Sequence, residues 1–72
     1  MPILTQSYTV VAPGLVDLFD GSEKYRMDEA SIVNALETVK DHRNAYASDL
    51  AYQRRLEFYE QALAVVRGSA PN

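Results

Sequence analysis

Two apolar stripes run through the second half of this chain, and they do not share one helical face. The first is Ile32, Leu36, Val39 and Tyr46, spaced by four, three and seven residues. The second is Tyr52, Leu56, Tyr59, Leu63 and Val66, spaced four, three, four and three, which is the repeat of a heptad seam. Ala51, Phe58, Ala62 and Val65 widen it into a broad face. At about 100° per residue, the two stripes would point in roughly opposite directions on one continuous helix. No Gly or Pro lies between Ser22 and Arg67. Both residues are costly inside a helix, so the pattern predicts helix over that stretch.

Two architectures reconcile the stripes. In the first, the chain breaks near Asn44–Ser48 and folds back as a hairpin of two antiparallel helices, Asp28–Ala45 and Ser48–Arg67, with both stripes on one core. Asn44 suits a left-handed C-cap, and Ser48 or Asp49 can cap the next helix. In the second, one helix of about 39 residues runs for about 58 Å and offers its faces to different neighbours. The hairpin is preferred because short connections are common between packed helices. Asp28 is the expected N-cap of the first helix, and Glu29 adds a negative charge where the helix dipole favours it.

Upstream, Ile3, Leu4, Tyr8, Thr9, Val10 and Val11 favour extended backbone. Leu4, Tyr8 and Val10 share one strand face, interrupted by Gln6, and Pro13-Gly14 signals a turn. Leu15–Met27 reads two ways. It can be a β-hairpin about an Asp20-Gly21 type I′ turn. It can also be a helical turn, Leu15–Asp20, closed by Gly21, because Leu15, Leu18 and Phe19 have helical spacing. The pattern leans to the hairpin and leaves the other open. The expected fold is therefore one small domain, mainly α: a helical hairpin over residues 28–67, an N-terminal extended arm or β-hairpin over 1–27, and a frayed tail over 68–72. The single long helix is the alternative.

Size and composition sharpen the question of partners. A chain of 72 residues buries only about 60% of its unfolded surface, and domains this small often need a staple. There is no cysteine and one histidine, so disulfides and thiolate metal sites are excluded. Association remains. Net charge is −3 with scattered basic residues, so nucleic acid is not an expected partner. No stretch reaches the roughly 20 apolar residues of a membrane span, and no basic-then-apolar leader is visible. The expectation is a cytoplasmic or virion protein.

Few residues form constellations that could carry chemistry. Asp17, Asp20 and Glu23 surround Gly21, but Val16 and Leu18 occupy positions where an EF-hand needs oxygen ligands. His42 has no evident catalytic partner, and its place near a helix C-terminus suits a surface histidine. Arg54-Arg55 is the only adjacent basic pair and is short for a phosphate site; Arg55 can stack on Tyr59, one turn away. Tyr8, Tyr25, Tyr46, Tyr52 and Tyr59 fit core edges or interfaces, where a ring is buried and its hydroxyl stays wet.

Met1-Pro2-Ile3 resembles the start of the small tautomerases, which implies Pro2 as a catalytic base once the initiator methionine is removed. Leu15–Met27 running into Asp28 resembles the hairpin-into-helix unit of the small phage head–tail joining proteins, which implies virion assembly. The leading expectation is a non-enzymatic assembly or adaptor protein, a homo-oligomer or a small subunit of a larger complex. Its expected contact residues are Tyr46, Tyr52, Leu56, Tyr59, Leu63 and Val66, with no cofactor or metal. A regulatory protein binding a partner's helix and a tautomerase-like enzyme using Pro2 are the alternatives.

Overall fold

A computed structural model describes residues 6–69. Three strands come first, β1 (Ser7–Ala12), β2 (Leu15–Phe19) and β3 (Lys24–Asp28), followed by α1 (Glu29–Asp41), a 3₁₀ turn at Arg43–Ala45 and α2 (Asp49–Ser69). The strands form an antiparallel sheet in the order β1-β2-β3. The class is α+β, which corrects the expectation of a mainly α helical hairpin carrying an arm. The alternative of one continuous helix fails as well, because the chain leaves helix after Asp41 and re-enters it at Asp49.

What looked like an arm supplies one wall of the core. Val16 and Leu18 on the central strand are fully buried. Side chains alternate along a strand, so these two share a face. Register sets Val10 and Met27 beside Val16, and Tyr8 and Tyr25 beside Leu18. That face meets the helices, while Leu15, Asp17 and Phe19 point the other way. The favoured β-hairpin over Leu15–Met27 is present as β2 and β3, and the alternative helical turn at Leu15–Asp20 is not. Two features blurred these strands in the sequence. Leu15-Val16-Asp17-Leu18-Phe19 is apolar on both faces, which erases the alternation, and Leu15, Leu18 and Phe19 imitate a helix turn. The lack of Gly and Pro after Ser22 does not make the whole stretch helical. Breaker-free sequence permits helix without requiring it, and Lys24–Asp28 uses the permission for a strand.

The turns follow from local chemistry. Pro13 and Gly14 join β1 to β2, and Gly14 has φ +78°, as the third residue of a type II turn requires. Register slips between Val10 and Ala12, leaving Val11 as the extra residue of a bulge. The β2–β3 connection is a four-residue loop, Asp20–Glu23, between the paired Phe19 and Lys24. It replaces the expected two-residue type I′ turn, in which Asp20 would also need positive φ; only Gly21 has it here, at +98°. The Asp20 carboxylate supports this wider loop by accepting from the backbone N–H groups of Ser22 (2.9 Å) and Glu23 (2.8 Å).

Asp28 ends β3 and caps α1, its Oδ1 accepting from the Ser31 N–H at 2.8 Å. Ile32, Leu36 and Val39 form the buried stripe of α1. The helix ends at Asp41, where the His42 N–H donates to the carbonyls of Thr38 and Val39. Asn44 takes no left-handed conformation; among the described residues only glycines have positive φ. Ser48 caps α2 by accepting from the Ala51 N–H at 3.1 Å. The expected stop at Gly68 is absent, since α2 continues through Ser69. There the Ser69 hydroxyl donates to the Val66 carbonyl (2.9 Å) and accepts from the Gly14 N–H (3.3 Å), tying the helix end to the first hairpin. The rest of the expected tail, 70–72, lies outside the described residues, as do Ile3 and Leu4.

Helix α2 has two neighbours and therefore two apolar sides. Phe58, Ala62 and Val66 are fully buried, with Leu56, Tyr59, Leu63 and Val65 packed against the same core. Phe58 meets Tyr8 of β1 with ring centroids 5.5 Å apart, so it belongs to the sheet side. The Arg67–Glu29 ion pair at 3.1 Å marks the side toward α1. The heptad seam thus described only part of a face that is broader because a sheet lies beneath it. Phe58→Ala is expected to lower the unfolding free energy by ~3–5 kcal/mol, and Leu50→Ala, at 61% exposure, by under ~0.5 kcal/mol. Urea unfolding of both variants measures the difference.

Candidate protein-interaction site

The six residues expected to make contacts are divided by the fold. Tyr52 and Val66 are buried within the chain's own core. Leu56, Tyr59 and Leu63 are half-buried against it. Tyr46 is half-buried and meets Tyr52 edge-on at 5.9 Å. The Arg43 guanidinium sits 5.1 Å over the Tyr52 ring and pairs with Asp49 at 3.4 Å. Most of the seam is therefore occupied internally, and Tyr46 is the member placed at an open surface.

That surface is a cleft of about 520 Å³ between the β2–β3 loop and the start of α2. Asp20 and Ser22 border it on the sheet side; Tyr46, Leu50, Arg54 and Arg55 border it on the helix side. Leu50 is 61% exposed, more than any other large apolar side chain among the described residues. It lies outside both stripes, and that was its signal in the sequence: a leucine on the face the pattern leaves polar.

One wall of the cleft is a fixed polar network. Arg55 donates to Asp20 Oδ2 at 3.3 Å, across 35 residues of chain. Tyr25 Oη lies 3.2 Å from the same oxygen and 2.9 Å from Glu23 Oε2, so its single proton serves one carboxylate at a time. The Arg55 guanidinium also rests 5.3 Å from the ring centres of both Phe58 and Tyr59, so it stacks as the sequence suggested and closes the core edge besides. With backbone N–H groups from Glu23 and Ser22 and the Arg55 cation around it, the Asp20 carboxyl is held down to about 2. The Tyr25 phenol is pushed up, first by its hydrogen bond to Glu23. Arg54, exposed beside this network, makes no ion pair among the described residues.

The other candidate residues are dispersed. Asp17 lies on the opposite sheet face, gripped by Arg26 at 2.8 and 3.2 Å. Arg26 holds its carboxyl below the usual range. Asp17, Asp20 and Glu23 therefore do not converge, and among the described residues no group of three or more acidic or histidine side chains is placed to hold a metal ion. His42 is exposed and directs Nδ1–H at the Thr38 carbonyl, 2.9 Å away, at the end of α1. Pro2 lies outside the described residues. No described helix is long and apolar enough to cross a membrane. No family model, curated protein or solved structure matches this chain.

The network makes stability depend on acid. The folded carboxyl of Asp20 titrates near 2, against about 3.9 in the unfolded chain. A lowered folded pKa stabilises fully above the unfolded value and is lost as pH falls through the folded one. Asp20→Asn should therefore reduce the loss of stability between about pH 4 and pH 2. Part of the slope should persist, because Asp17 and Asp28 are also shifted down. Urea unfolding at several pH values reads the change.

Proposed function

We propose that this protein is a non-enzymatic assembly or adaptor protein, acting by contact with another protein as a subunit of a larger complex or a homo-oligomer, in the cytoplasm or in a virion. The observation that carries the reading is the mouth of the cleft. There a leucine stands 61% exposed, bordered by Tyr46 and by an arginine without an ion-pair partner among the described residues. Tyrosine and arginine are enriched in interface cores and hot spots. An exposed leucine gains most when a partner covers it. The matching partner surface presents an apolar side chain to Tyr46 and Leu50 and a carboxylate to Arg54. The Asp20–Arg55 network keeps the cleft wall in place before the partner arrives, which lowers the ordering cost of binding.

Both Leu50 and Arg54 are exposed, so Leu50→Glu and Arg54→Glu should leave the fold intact. Each is expected to weaken partner binding by ~30-fold or more, the ~2 kcal/mol loss of a hot spot. The test is affinity purification from the native host, followed by calorimetry with the protein recovered. Equal affinity for the wild type and both variants would overturn the reading of this cleft.

A further inference from the structure

The two edges of the sheet are not alike. β3 carries Lys24, Arg26 and Asp28 along its free edge, and charged side chains are a common guard against pairing between sheets. β1, with the sequence Ser-Tyr-Thr-Val-Val-Ala, carries no charge and no proline, and five of its six residues are exposed. Val10 is 46% and Val11 40% exposed, and both lie on this strand. Among the described residues β1 pairs only with β2, so the backbone N–H and C=O groups of its outer edge have no strand partner. An uncharged edge of β-branched and aromatic residues is the kind that accepts another strand.

We infer that two copies of this chain pair through the outer edges of β1, antiparallel, to form a closed dimer with one six-stranded sheet. The inference rests on the reading of the protein as an assembly subunit and names one surface and partner for it. Tyr8 and Val10 lie on the helix-facing side, opposite Leu18 and Val16, and Thr9 lies on the other. A two-fold axis through Thr9 preserves these faces in both copies. It sets Tyr8 of one copy beside Val10 of the other, and the two Thr9 residues beside each other. Aromatic with β-branched and threonine with threonine are favourable cross-strand pairs. Val10 then gains the cover it lacks in one chain. The bulge at Val11 limits the paired stretch at one end, and the charged β3 edges stop growth at two copies. A second copy suits this edge better than a charged peptide, because β1 offers no charge to complement.

The chain has no cysteine, so single-cysteine variants report the geometry directly. Directly opposed residues of an antiparallel pair lie about 4.5–5.5 Å apart at Cα, within the range a disulfide spans. With oxidised glutathione, Thr9→Cys should cross-link into a dimer at least ~10-fold faster than Lys24→Cys on the β3 edge. Light scattering should give twice the 8.1 kDa chain mass. Val10→Lys should raise the dimer dissociation constant by ~10-fold or more, with circular dichroism checking the fold. A monomer at all concentrations, an open-ended aggregate, or Thr9→Cys cross-linking no faster than Lys24→Cys would overturn the edge pairing. None of these outcomes touches Leu50 or Arg54, so partner binding at the cleft stands or falls by its own variants.

Discussion

Burial of the central strand against α2 is the constraint on which the structure depends. Val16 and Leu18 are fully buried, as are Phe58, Ala62 and Val66 opposite them. A sheet with only one face covered must obtain its stability from that face. The chain has little else to use: no disulfide can form, and its ion pairs lie mostly at exposed positions, where each contributes little. The more enclosed Asp20–Arg55 pair sits at the rim of this same core, so the cleft inherits its shape from the packing behind it.

For a physical reason, the helices were more legible in the sequence than the sheet. The β2–β3 hairpin was favoured, but its joining to β1 as a wall of the core was not foreseen. A helical stripe repeats over several turns, so Ile32, Leu36 and Val39 announced a face that is indeed buried. Asp28 and Ser48 announced helix starts through side chains that accept from nearby N–H groups. A five-residue strand offers only two or three alternations. In β2 even those vanish, because Leu15 and Phe19 on the outer face are as apolar as Val16 and Leu18 inside. The heptad seam was real as a pattern but incomplete as a face. It omitted Phe58 as a principal residue because a seam presumes one neighbour, and α2 has both α1 and the sheet.

The surface residues show the same limit. All six expected contact residues are wholly or partly used inside the chain, Tyr46 only at its contact with Tyr52. Apolar periodicity marks what is buried and does not distinguish burial within a chain from burial between chains. The residues left at the surface are those that break the pattern. Leu50 is off both stripes, and Val10-Val11 places adjacent apolar side chains where a one-sided strand can bury only alternate ones. The Asp20–Arg55 contact had no local signal, since it joins residues 35 apart in sequence.

Asp28 is at once the last residue of β3 and the cap of α1. No residue is left between them to act as a joint. The direction of α1 is therefore set by the exit angle of the strand. The first hairpin is fastened to the far end of α2 by the Gly14–Ser69 hydrogen bond. The passage between the helices, residues 42–48, is the exposed connection, where only Tyr46 is even half-buried. For an engineer adding a tag, a dye or an inserted domain, the exposed positions of that passage are open to added length only away from Arg43, which rests over Tyr52 and pairs with Asp49, and Tyr46, which borders the cleft.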